Sequence, residues 1–217
     1  MTLYHVLNRG VEKRTLFLDD ADRARFVHDM WEFNDVKNAT QVWHHQSRGL
    51  RNPYILKDRI VDIHGWCLMD NHYHLLISEI AEGGLTKFAR RLNVGYANYF
   101  NERYKRNGTL FQGRTKKIPI LSDSHFLHIL HYIHLNPLDT VAGAKNWRNL
   151  EIKNLNVALK HLEKYRWSSY LDYCGKKNFP SILTTDLFKD VFGDYEKVIK
   201  RYIKDLEEIP IETQYLE

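Results

Sequence analysis

A chain of 217 residues has room for one catalytic domain with a sizeable core and a smaller appended unit. Hydrophobic residues at 43% and charged residues at 27% exclude a disordered chain, and no apolar run approaches the roughly 20 residues that span a bilayer. A formal net charge of +5 suits a polyanionic partner without requiring one, and the 13 Tyr and 5 Trp serve base stacking or core packing equally well. The opening MTLYHVLNRG carries no apolar leader core, and Cys67 and Cys174 form no CxxC pair, so a reduced, cytoplasmic setting away from membranes is expected.

Leu3 to Asn8 alternates and is β-prone, which predicts a strand. Asp19 and Asp20 stand before a helical stretch with Phe26, Met30 and Phe33 on one face. Residues 39–58 are polar and irregular, which predicts an insertion or long loop. Arg59 to Leu68 and His72 to Glu79 then predict two strands joined by the turn Met69-Asp70-Asn71, an antiparallel hairpin. Gly83-Gly84 breaks the chain before a long helix from Leu85 to about Arg103, with Leu85, Phe88, Ala89, Leu92, Tyr96, Tyr99 and Phe100 on its apolar face. Asn107-Gly108 ends that helix, a fourth strand is expected from Thr109 to Ile120, and Ser122 or Asp123 caps a helix that stops near Asn136-Pro137.

Strand, helix, strand, strand, helix, strand is the split βαβ order of an α+β, ferredoxin-like fold, which implies an antiparallel sheet with helices on one face and the other face open. Residues 1–140 form the main unit in this reading, and residues 141–217 a small helical segment packed on it. That segment holds a polar connection after Leu138, the aromatic cluster YRWSSY from Tyr165 to Tyr170, and two short amphipathic helices at Thr185 to Phe192 and Tyr195 to about Glu207.

Alternation sends His72, His74 and Leu76 to one side of the third strand, and Tyr73, Leu75 and Ile77 to the other. Two imidazoles at i, i+2 on a strand can share a metal ion. With 12 His in the chain, about 0.7 H-x-H pairs arise by chance, so the motif is equally that of a solvent-facing strand. On the helix after Asp123, Phe126, Ile129, Leu130 and Ile133 form the arc expected to be buried, and His125, His128, Tyr132 and Asn136 a separate stripe. Tyr132 and Asn136, four residues apart, project side by side as a nucleophile and a ligand would, or as a surface tyrosine packed on the sheet edge would. His125, His128, His131 and His134 make no metal comb, because steps of three walk around the helix.

Together these pieces resemble a known family. IHGWCLMDNHYHLLIS is similar to the histidine–hydrophobic–histidine (HUH) strand of the single-tyrosine transposases of simple insertion sequences. YHVLNRG, GTLFQGRTK, HYIHLNP and YRWSSY also match, in the family's order over about residues 1 to 175, and are most like the REP-associated tyrosine transposase branch. The resemblance implies that residues 1–140 are an HUH catalytic domain, with His72 and His74 as metal ligands, Asn136 as a third, polar ligand and Tyr132 as the nucleophile. Tyr73 departs from the usual aliphatic middle residue, which implies repacking on the core side. Nitrogen and oxygen donors with water and phosphate favour Mg²⁺ or Mn²⁺ over a closed structural zinc site.

The implied activity is a metal-dependent endonuclease and strand transferase of single-stranded or hairpin DNA, acting through a 5′-phosphotyrosine as a monomer or homodimer. Tyrosine's ordinary pKa of about 10 means that Tyr132 needs help to lose its proton, from bound phosphate, a water or His128. Asn8, Arg9, Arg91, Arg114 and Lys116 are the expected DNA-binding residues, with Arg90 and Lys117 as further candidates; each also reads as solvated surface. Trp167 and Tyr170 either stack a base or seat the C-terminal segment, and packing is the reading favoured. Two other classes remain open: a catalytically silent relative that grips hairpin DNA, and a hydrolase using only His72, His74 and a water, which no HExxH helix supports.

Overall fold

Two-residue alternation along the central hairpin divides the fold into its two halves. A computed structural model describes residues 2–37, 58–149 and 152–205; apart from Asp58, the expected 39–58 insertion lies outside the described residues. The elements are β1 (Leu3–Arg9), α1 (Asp20–Glu32), β2 (Val61–Met69), β3 (His72–Glu79), α2 (Gly84–Arg103), β4 (Lys116–Ile120), α3 (Asp123–Leu135), α4 (Leu155–Lys164), α5 (Tyr170–Tyr173), α6 (Asp186–Phe192) and α7 (Tyr195–Asp205). The strands form one sheet in the order β2-β3-β1-β4, antiparallel throughout, which is the split βαβ topology of an α+β fold.

On the first face Val6, Ile63, Trp66, Leu68, Tyr73, Leu75 and Ile77 pack under α1 and α2, meeting Phe26, Met30, Phe88, Leu92 and Tyr96. Those helices start where the sequence offers caps and breaks. The Asp19 carboxylate accepts from the Asp22 amide at 2.9 Å, and α2 begins after Gly83, which turns the chain at φ 70°.

The second face is covered as well, which corrects the expectation of an open sheet. Ile129, Leu130, Tyr132 and Ile133 of α3 meet Leu3, Cys67, Met69 and Leu76 there. Ala158 and Leu162 of α4, Phe188 of α6 and Ile199 of α7 close over the helix from behind. The reason is visible in FLHILHYIHL: a helix apolar or aromatic around most of its circumference buries more than one face, and from Ile129 to Leu135 every residue of α3 is buried. Close approach is possible because residue 65 is Gly, where a Cβ would stand 2.7 Å from Leu130 Cδ1.

Two further differences have local causes. Regular β4 begins only at Lys116, because Gly108 and Gly113 at φ 90° and 68° break the 109–115 stretch, leaving one bridge between Gly10 and Phe111. The polar connection after Leu138 contains α4, capped by Asn154 and burying Ala158, Leu159 and Leu162. YRWSSY lies along the outer edge of β2: Leu68 N donates to Trp167 O, and Ser169 N to Trp66 O, both at 2.9 Å. Trp167 and Tyr170 are packing residues, Trp167 lying on Phe179 and donating to Asp20 Oδ1, and Tyr170 buried under α3.

A buried polar chain docks α7 on α3. Tyr195 OH sits 3.0 Å from His131 Nδ1 and 2.8 Å from His134 Nδ1, and His134 Nε2 lies 2.7 Å from Ser169 Oγ. One hydroxyl proton serves one ring while the other ring donates to the oxygen, so both imidazoles are held neutral. Burial, with His128 adding, pushes the His131 pKa down to about 3 from 6.5. The unfolded chain therefore takes up this proton first. The contribution is complete above about pH 6.5 and is lost as pH falls toward about 3, at up to about 1.4 kcal/mol per pH unit. His131→Gln is expected to flatten the stability slope between about pH 6 and 4 by up to one proton. Urea midpoints measured across that range check it, and an unchanged slope contradicts it.

Candidate active site

β3 presents His72 and His74 on the second face of the sheet, where Arg9 and Leu7 of β1 stand opposite them. His5, one pleat further along β1, shares that face, with its Nε2 2.9 Å from His74 Nδ1. The His72 and His74 rings meet edge to face, with centroids 4.9 Å apart. Tyr132 arrives from α3, its ring centroid 5.8 Å from that of His74 and 5.9 Å from that of His5.

Burial keeps all three histidines neutral. It lowers His72 to about 4, helped by Arg9 and Arg148, and His5 to about 3, helped by His125. His74 is held well below the ordinary range by burial first, then by His5, His72, Arg148 and Arg9. His72 Nδ1 lies 2.7 Å from Asn71 Oδ1, an oxygen that only accepts, so the proton sits on Nδ1 and the lone pair on Nε2. His74 has its Nδ1 against His5, and its buried Nε2 has no hydrogen-bond partner. Two neutral imidazoles with Nε2 available, one of them buried and unsatisfied, fit a divalent cation. Among the described residues no group of three His, Cys, Asp or Glu side chains gathers to hold a metal. An amide, water or phosphate must therefore fill out such a shell.

Asn136 follows the last residue of α3. Its Nδ2 donates to Tyr132 O at 2.8 Å, and its Oδ1 accepts from Arg148 Nη2 at 2.7 Å, which leaves that oxygen a second lone pair. Arg148 is the hub on this side. It ion-pairs with Asp139, lies over the Trp147 ring at 4.4 Å and over the Tyr132 ring at 5.4 Å, and interacts with the Tyr132 hydroxyl by charge and hydrogen bond. Burial alone would lower its pKa, but Asp139 and Tyr132 together raise it.

Tyr132 and Asn136 are thus buried, Tyr132 at 4% exposure, which corrects the expected stripe apart from the core. The cause is the turn from Asp139 to Arg148, which lays Trp147 against the tyrosine ring at 5.5 Å. The neighbouring His128 does not join the site by ring contact with Tyr132; its ring packs on Tyr202 at 5.6 Å.

The expected DNA-binding residues divide by face. Arg9 is exposed beside His72, Lys116 opposes Leu7 and so shares the histidine face, and Arg114 is exposed just before β4. Asn8 points to the other face, buried, with its Nδ2 3.4 Å from Thr115 Oγ1. Arg91 lies on α2 with its Nη1 2.5 Å from Asp35 O, and Lys117 donates to Thr86 Oγ1 at 2.6 Å; both are on the α1/α2 side. Reasoning from the sequence missed His5 and Arg148. Alternation along Leu3, His5 and Leu7 marked the first for the same face as the His pair, given the strand pairing. No local signal marks Arg148, which reaches the site only through the turn that carries it.

A family model described as "Transposase IS200 like" matches residues 36–136. No curated protein matches the chain. Among solved structures, one titled "Structure of the REP associates tyrosine transposase bound to a REP hairpin" aligns with a TM-score of 0.49 at 12% identity, covering 86% of this chain and 87% of that one. The family match spans the hairpin with His72 and His74 and runs to Asn136, while His5 and Arg148 fall outside it. The matched stretch, residues 36–136, is similar to IS200-like transposases and makes up a little under half of the chain.

Proposed function

We propose that this chain is a metal-dependent endonuclease and strand transferase of single-stranded DNA, with Tyr132 as its nucleophile. The observation that carries the reading is the convergence of a strand and a distant helix: Tyr132 stands against His74, whose buried Nε2 has no partner. His72, His74 and Asn136 would hold Mg²⁺ or Mn²⁺, which when bound supplies Lewis-acid polarisation of the scissile phosphate.

The chain's own groups do the rest. Arg9 and Lys116, on the histidine face, and the nearby Arg114 offer positive charge to the strand's phosphates. Tyr132 Oη gives up its proton and forms the bond to phosphorus as the P–O3′ bond breaks; the departing 3′ oxygen takes up a proton by way of water, and the 5′ phosphate stays on the tyrosine. Arg148 places its charge where the tyrosine oxygen becomes anionic. Attack by a 3′-OH on the phosphotyrosine reverses the step and joins strands without a nucleotide cofactor, because the phosphodiester is conserved in energy. Since the hydroxyl is covered, DNA entry requires the turn holding Trp147 and Arg148 to shift.

Incubating labelled single-stranded hairpin DNA with protein and Mn²⁺ is expected to give a complex that survives denaturation. Tyr132→Phe keeps the ring and its packing, and is expected to abolish that adduct while hairpin binding stays within a few-fold. His72→Ala and His74→Ala are each expected to remove metal-dependent cleavage. Cutting by the Phe variant moves the nucleophile elsewhere, and binding without an adduct in the parent protein leaves the silent hairpin-binding reading.

A second measurement addresses the substrate. A paired duplex holds its backbone on a helical path that keeps the scissile phosphate from bending toward both Tyr132 and the histidines. The hairpin-bearing single strand is expected to be cut and the same sequence annealed to its complement to resist. Binding is expected to fall by roughly tenfold or more between about 50 and 200 mM salt, because phosphate contacts carry the affinity. Equal cutting of both forms contradicts this mode of recognition.

A further inference from the structure

We propose that His5 is a positioning residue for the metal site: its Nε2 accepts the Nδ1 proton of His74, which leaves the His74 Nε2 lone pair for the cation. This inference rests on the metal-dependent reading above.

A neutral imidazole has one proton for two nitrogens. Across the 2.9 Å contact between His5 Nε2 and His74 Nδ1, that proton belongs to one ring or the other. If His5 donates, His74 accepts at Nδ1 and carries its own proton on Nε2, where a cation has to bind. If His74 donates, its Nε2 is a lone pair, and the His5 proton moves to Nδ1. Only the second arrangement admits a metal. The acceptor of a ligating histidine is more commonly a carboxylate or a backbone carbonyl, whose oxygen only accepts, or a water. Here the His5 nitrogen accepts in one tautomer and donates in the other.

Water has no access to stand in for His5. The His5 side chain is fully buried and His74 is 2% exposed, and their ring planes lie within 18° of each other. The contact is also fixed by the backbone, since Leu7 pairs with His74 and His5 with Leu76 in the β1–β3 ladder. A ring two residues back on β1 is thereby held on the diagonal from His74. His72 reaches the same end by another route, donating Nδ1–H to Asn71 Oδ1. Each member of the pair thus has its Nδ1 engaged and its Nε2 left over.

The test measures Mn²⁺ affinity by titration calorimetry in the full chain, without DNA. His5→Leu removes the acceptor, and His5→Gln restores one as an amide oxygen. The Leu variant is expected to bind Mn²⁺ about 10- to 100-fold more weakly than the parent, and the Gln variant to recover most of the loss. His74→Ala is the reference: if it binds as the parent does, the metal reading itself fails. If His74→Ala loses binding and His5→Leu does not, only the role of His5 fails. Equal weakening in Leu and Gln variants assigns His5 to packing alone and also overturns the proposal. Should the Leu variant not fold, ¹⁵N-histidine NMR of the parent with saturating Mg²⁺ decides. His5 and His74 are both expected to carry their protons on Nδ1, and a proton on His5 Nε2 overturns the assignment.

Discussion

The candidate site depends on β3 being held in register from both sides. β2 pairs it along one edge and β1 along the other, so no single-residue slip is available without breaking two ladders. Such a slip would exchange the faces: Tyr73 and Leu75 would leave the α1/α2 core, and His72 and His74 would enter it. The apolar packing on one face is therefore what aims the imidazoles on the other. Tyr73 shows the coupling within one residue, its ring filling the core beside Phe26 while its hydroxyl donates to Asn93. A bulky residue between the two histidines is accommodated because its own side of the sheet has a partner for both its ring and its oxygen.

The nucleophile candidate is restrained by a different device. α3 is enclosed by the sheet in front and by α4, α6 and α7 behind, and its approach is set by the absence of a side chain at Gly65. Tyr195 ties two of its histidines to α7, and Arg148 ties its C-terminal end to the following turn through Asn136. Side chains mounted on elements fixed in this way hold a geometry that loops do not. The C-terminal segment, outside the family match, thus bears directly on the residues within it.

Much of this was legible in the sequence, and the reasons for the rest are physical. The β3 bounds, the hairpin and both amphipathic helices of the first face follow from periodicity and from Asp19, Gly83 and Asn71 as punctuation. His72, His74 and Tyr132 come from alternation and helical spacing, and the structure brings them together. Periodicity misjudged how much of α3 is buried, because histidine and tyrosine count as polar in a pattern but behave as packed rings once each polar atom has a partner. It gave no sign of the Trp147–Arg148 turn over Tyr132, which depends on Asp139 holding both residues across a loop. α4 was hidden by its charged face, although Leu155, Leu159 and Leu162 have helical spacing. Asn8 and Arg9 are neighbours in sequence, but alternation turns them to opposite faces of the sheet.

The strip formed by Trp167 to Ser169 has a bearing on how copies of this chain meet. By bonding to the backbone of β2 it occupies the outer margin of the sheet on that side. On the opposite margin β4 is five residues long and contains Lys116, Lys117 and Pro119, the last without an N–H to offer. Among the described residues, neither border of the sheet presents a long, bare row of backbone donors and acceptors. Strand-by-strand templating between molecules, the usual route by which exposed β-sheets aggregate, is blocked by the chain's own C-terminal half, so shortening the protein before Trp167 would expose a hydrophobic border that the full sequence keeps covered.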